Sequence, residues 1–167
     1  MSKVIIGIDL GKKGGIVAIE DGRILCKEKM PLIADEDVDV KTLGKILRKY
    51  SESECHVVFE KFSGFFGYSK MAATSLARQS GFVESLLILM NLPYTKVQPQ
   101  VWQKIVWEGT KMILKADGKK DTKKISLMTA TRLFPKDNFV ISTRGTKPHD
   151  GIIDAALLAV YGQRKGL

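Results

Sequence analysis

A mixed β-sheet of five strands, the first three antiparallel, with helices on both faces, is the α/β fold class this sequence predicts. Three observations predict it: an apolar run at the start, a tight-turn dipeptide soon after, and later short apolar runs alternating with stretches of helical period. Val4 to Leu10 is apolar at almost every position, as in a central strand covered on both sides. Gly11-Lys12-Lys13-Gly14-Gly15 is a turn. Ile16 to Glu20 and Arg23 to Lys29 then flank Asp21-Gly22, a strong hairpin signal. The first thirty residues therefore read as a three-stranded meander with Asp9 on its first strand.

Residues 31–38 read as an acidic loop. Val40 to Tyr50 fits a helix with Leu43, Ile46 and Leu47 inward, and His56 to Glu60 is the next buried strand. Ser69 to Met90 repeats Leu76, Val83, Leu87 and Met90 on one helical face, with Gly81 as an interruption or a point of close approach. Tyr94 to Val97 is a short strand, and Pro99 starts a helix containing Trp102 and Ile105. Trp107 to Lys120, rich in Gly and Lys, reads as a flexible loop. Asp121 or Thr122 caps a helix running to Phe134, which Pro135 ends. Asp150 to Tyr161 is apolar nearly all round and is expected to be buried on most sides. No repeat or linker divides the chain, so one domain spanning residues 1–167 is expected.

Composition narrows the function. Lys plus Arg outnumber Asp plus Glu by 27 to 18, a net charge of +9 that favours a polyanionic partner. No apolar run approaches the roughly 20 residues of a membrane-spanning helix, and no signal-peptide pattern precedes the first strand, so a cytoplasmic protein is expected. Cys26 and Cys55 stand far apart without a Cys/His cluster, which argues against structural zinc and a disulfide framework.

Against that basic background the placement of four acids is informative. Asp9 and Glu60 each close an apolar strand, where a carboxylate is costly to bury unless paired or bound to metal. Parallel neighbouring strands bring the two together at one end of the sheet. Asp150 and Asp154 are four apart and project from one face of the last helix. If that face meets the strand ends, four carboxylates converge, and without cations their repulsion destabilises the fold. Two Mg²⁺ ions, about 3.5–4 Å apart, would turn the cluster into a clamp on a scissile phosphate. Mn²⁺ is a substitute with the same preference for oxygen ligands.

Gly7-Ile-Asp9-Leu-Gly11, Val57-Val-Phe-Glu60-Lys61 and His149-Asp150-Gly-Ile-Ile-Asp154-Ala resemble, in order and spacing, the three motifs of RuvC-like Holliday junction resolvases. The chain is most similar to the phage-type branch of that group within the RNase H-like superfamily. Val97-Gln-Pro-Gln-Val-Trp102 and Arg132-Leu-Phe-Pro135 extend the likeness over nearly the whole chain. The resemblance implies an RNase H-like fold and a Mg²⁺-dependent endonuclease that nicks branched DNA. It implies metal-ligand roles for Asp9, Glu60 and Asp154, with Asp150 or His149 as the fourth group. Position 151 is Gly and the acid stands at 150, whereas many members space the last two groups three apart. An N-cap of the terminal helix is the alternative role for Asp150. A two-fold-symmetric junction needs two opposed nicks, which a C₂ homodimer provides, and the long helix with Gly81 is a plausible interface.

Further DNA contacts are expected in two places. Phe62-Ser-Gly-Phe65-Phe66-Gly-Tyr68 follows Glu60, and Phe65 and Phe66 are candidates to stack on unpaired bases at a branch point. Lys61 lies between them and the site. Lys111, Lys115, Lys119, Lys120, Lys123 and Lys124 suit a phosphate track, with Arg144 and Lys147 as lesser candidates. Trp102 reads as a core residue. Gly-Ile-Asp-Leu-Gly-Lys-Lys-Gly-Gly also looks like the first phosphate loop of actin-like ATPases, but a second phosphate motif and an adenosine motif are missing, so no nucleotide cofactor is expected. A nuclease acting on RNA–DNA hybrids and a non-catalytic branched-DNA-binding module are the alternatives.

Overall fold

The computed structural model describes residues 3–51, 53–62, 69–141 and 145–167. Its central sheet has the order β3-β2-β1-β6-β7, formed by β1 (Val4–Asp9), β2 (Gly15–Glu20), β3 (Arg23–Lys29), β6 (Cys55–Glu60) and β7 (Tyr94–Val97). The meander β1-β2-β3 is antiparallel, while β6 pairs parallel with both β1 and β7. This is the mixed five-stranded sheet that the sequence predicts.

Strand alternation sends the two halves of each strand to different cores. Val4, Ile6 and Ile8 of β1 and Val57 and Phe59 of β6 pack with α1 (Val40–Arg48) and α2 (Lys70–Leu89). Ile5 of β1 and Val58 of β6 pack on the opposite side with α3 (Pro99–Val106), α4 (Thr122–Leu133) and α5 (Asp150–Arg164). By the same alternation Asp9 and Glu60 face α3, α4 and α5.

The helix α5 is buried from Gly151 through Gly162 at every position but Asp154, as its apolar composition predicts. It lies down on β1 unusually closely, and glycine makes that possible. A Cβ on Gly7 would fall on the Ala155 carbonyl, and one on Gly151 would fall on the Lys13 carbonyl. The small residues Gly151, Ala155, Ala159 and Gly162 thus form the side of α5 that meets the sheet, at helical spacing.

Three expectations are corrected. Residues 31–38 are not a plain loop: β4 (Leu32–Ile33) and β5 (Asp37–Val38) pair as a small hairpin, turned by Ala34 and Asp35 with positive φ. Strands of two residues carry no detectable period, so sequence patterning misses them. Gly81 does not interrupt α2, which runs unbroken past it; a Cβ there would meet no atom within 4 Å among the described residues. The stretch 107–120 is also ordered by its own hydrogen bonds. Leu114 and Lys120 form a β-bridge, and the amide of Lys115 donates to the Lys119 carbonyl at 2.7 Å. Asp121 then caps α4, its carboxylate accepting from the Lys124 amide.

Candidate active site

The carboxyl ends of β1 and β6 build the floor of the site. Their parallel register sets Ile8 beside Phe59, so the next residues, Asp9 and Glu60, stand at the same sheet end. Glu60 is further fixed by β7: it is registered with Val97, whose carbonyl accepts from the Lys61 amide at 2.8 Å.

One wall of the site is the N-terminal turn of α5. His149 is its N-cap, with Nδ1 accepting from the Ile152 amide at 3.3 Å and the ring half-buried, not exposed. The cap role weighed for Asp150 therefore belongs to His149, and Asp150 is the first helical residue. Asp150 stays at the exposed rim, where its carboxylate meets the Lys123 ammonium at 2.7 Å. Asp154, one turn further, is turned into the protein.

Electrostatics ties these groups together. Burial raises Asp9 well above the ordinary carboxylate range, and Asp154, Glu60 and Asp150 raise it further through repulsion. Burial likewise pushes Asp154 up to about 7; the Ser126 hydroxyl, hydrogen-bonded to it, works against this, and Glu60 and Asp150 reinforce it. Glu60 is raised by burial and drawn back by a hydrogen bond from the Trp102 indole, Nε1 to Oε1 at 2.8 Å. All four predicted carboxylates thus belong to one electrostatic cluster.

Beside the cluster opens a cleft of about 500 Å³, lined by Asp9, Lys13, Lys123, Lys147, His149 and Asp150 among others. Three lysines and two carboxylates around one cleft suit a phosphate and a cation together. The lysine-bearing loop 11–14 is pinned from behind. The Gly11 amide donates to the fully buried Gln79 of α2 at 2.9 Å, and Gly14 bridges to Gly151 at the start of α5.

The donor chemistry fits a hard divalent cation: desolvated carboxylates with shared repulsion, which a dication relieves. Among the described residues, no three His, Cys, Asp or Glu side chains stand together as a group that could hold a metal ion.

Of the lysines predicted to contact phosphate, Lys123 and the lesser candidate Lys147 line the cleft. Lys119 lies near Asp117 at 3.6 Å and Lys124 near Asp121 at 3.5 Å, while Lys61 and Lys120 are exposed outside the cleft lining. Phe65, Phe66 and Arg144 lie outside the described residues. Sequence reasoning missed three contacts: Trp102 on Glu60, Ser126 on Asp154 and Gln79 on Gly11. Trp102 is core as predicted, but its indole N–H is aimed at the site. Among the described residues no helix is long and apolar enough to cross a membrane.

No protein-family model matches the chain, and no curated protein matches its sequence. Solved structures do. Thermus thermophilus RuvC in complex with a Holliday junction substrate is similar with a TM-score of 0.62 and 16% identity, over 98% of this chain and 96% of that one. A second structure of Thermus thermophilus RuvC is similar with a TM-score of 0.58 and 18% identity, again over 98% and 96% of the two chains. The fold is RuvC-like along its full length, as the sequence motifs predict.

Proposed function

We propose that this chain is a divalent-metal-dependent endonuclease that nicks Holliday junctions and other branched DNA. The observation that carries the reading is the convergence of Asp9, Glu60 and Asp154 on one desolvated face, with Asp150 beside a lysine-lined cleft. A RuvC-like fold, one structure of which holds a Holliday junction substrate, supports the choice of branched DNA.

Asp9, Glu60 and Asp154 would hold the metal, and Asp150 would complete the set. Bound Mg²⁺, or Mn²⁺ in its place, supplies charge neutralisation at the scissile phosphate and a water activated for in-line attack. Lys13, Lys123 and Lys147 neutralise the incoming backbone and hold it against the carboxylates, which would otherwise repel it. Phe65 and Phe66 act as the wedge at the branch point in this reading.

The reading includes a homodimer. Met71, Phe82 and Leu89 lie along one side of α2, spaced by eleven and seven residues. Met71 is 84% and Leu89 81% exposed, an apolar line that a second copy of the helix would cover.

The test uses labelled four-way junction, flap, duplex and RNA–DNA hybrid, with Mg²⁺ or EDTA, against wild type and Asp154→Asn. Paired, metal-dependent nicks near the junction centre, lost in the variant while junction binding persists, are expected. Cleavage of the hybrid alone would make the protein an RNase H, and binding without cleavage would leave a structural module.

A further inference from the structure

We infer that Trp102 is a positioning residue: its indole N–H holds one oxygen of Glu60 so that the other is presented to a divalent cation. The inference rests on the metal-dependent reading above and deepens it.

The geometry is specific. Trp102 is 1% exposed, and its Nε1 lies 2.8 Å from Glu60 Oε1. The backbone leaves little slack on either side of this bond. Val97, registered with Glu60 across β6 and β7, is followed at once by Gln98 at the N-cap of α3 and Pro99 in its first turn. Trp102 comes one turn later, so strand pairing and helix start together aim the indole. The Trp107 ring meets Trp102 edge-on, with centroids 6.2 Å apart and an interplanar angle of 74°, and fixes its plane from behind.

The chemistry of the donor matters as much as its place. A buried carboxylate without a hydrogen-bond partner is costly, and a glutamate without one retains its rotamer freedom. An arginine or lysine in the same place would supply the hydrogen bond but also a positive charge competing with the cation. A histidine or glutamine would bring an acceptor as well as a donor. The indole N–H is neutral and donates only. It holds Glu60 while leaving its negative charge to a metal, as outer partners of metal ligands do elsewhere.

The sequence has two tryptophans, so Trp107→Phe leaves Trp102 as the lone indole reporter. In that variant, titration with Ca²⁺ should change the tryptophan emission, saturating with the Ca²⁺ affinity measured calorimetrically. Trp102→Phe removes the N–H and keeps a ring. Replacement of Trp102 by benzothienylalanine removes it within the same bicyclic shape, and decides the matter if the Phe variant does not fold.

Either substitution should weaken Ca²⁺ binding and lower the junction-nicking kcat by about tenfold each. Junction affinity in EDTA should stay within twofold. A folded variant lacking the N–H with unchanged Ca²⁺ affinity and kcat would overturn the inference and leave the nuclease reading intact. Wild type that binds Ca²⁺ but nicks no branched DNA would overturn the nuclease reading instead, with Trp102 still judged by Ca²⁺ affinity. Wild type that binds no divalent cation would overturn both.

Discussion

The two faces of the sheet solve the same packing problem in opposite ways. Facing α1 and α2, the strands fill space with large apolar side chains: Ile6, Ile8, Val57 and Phe59 are fully buried there. Facing α5, β1 and β2 give up volume at Gly7 and Gly15, and the helix backbone comes down into the room they leave. One face is packed by side-chain volume. On the other, close approach carries Asp154 toward Asp9 and Glu60, and the cost is a set of buried, mutually repelling carboxylates. Substitutions on the two faces should therefore differ in kind as well as in size.

The largest effect is expected from Gly7→Ala. The new methyl falls on the Ala155 carbonyl, so α5 must lift, at a cost above about 4 kcal/mol in urea unfolding. A variant of near-native stability would mean that α5 has a second seat on the sheet. Ile6→Ala on the opposite face leaves a cavity and should cost about 2–5 kcal/mol. Its divalent-cation affinity should stay within twofold, and a loss comparable to that of Gly7→Ala would erase the distinction between the faces.

A smaller effect separates the faces by pH. In the metal-free folded protein Asp154 stands at about 7, against an ordinary aspartate near 3.9 in the unfolded chain. The folded state thus keeps a proton that the unfolded state releases, and stability falls as pH rises through that window. In EDTA the Tm should drop between about pH 4 and 7, and Mg²⁺ should raise it more at pH 8 than at pH 5. Asp154→Asn should flatten the decline; an equal slope in the variant would place the titrating group elsewhere.

Lys123→Ala should give the smallest change in stability. Its pair with Asp150 is exposed at both ends and contributes less than about 1 kcal/mol. Junction affinity should fall, and the dependence of log Kd on log salt should lose about one unit. An unchanged salt slope would remove Lys123 from the phosphate path.

What could be read from the sequence divides along the same lines. Val4 to Leu10, the Asp21-Gly22 hairpin and the apolar α5 were legible because local period and turn chemistry encode them. Asp9 and Glu60 were legible because an acid closing an apolar strand is conspicuous, and Asp150 and Asp154 because two acids four apart share one face of an otherwise apolar helix. Trp102 on Glu60 spans 42 residues and Gln79 on Gly11 spans 68. Nothing local marks Trp102 as anything but core, or sets Gln79 apart from other polar helix residues. The β4–β5 hairpin was missed because two residues are too few to show alternation, and the ordered stretch 107–120 because its Lys and Gly composition outweighed its bridge.

The place of α5 in the chain has a consequence for how the protein is made. Asp9 and Glu60 leave the ribosome on strands of an early sheet, but the helix that brings Asp150 and Asp154 is the last element described. At about 5–20 residues per second, the interval between the two halves is on the order of ten seconds. Until α5 docks, one sheet face lacks its main cover, and Asp9 and Glu60 stand without Asp150 and Asp154. Synthesis order thus keeps the four carboxylates apart until that core closes.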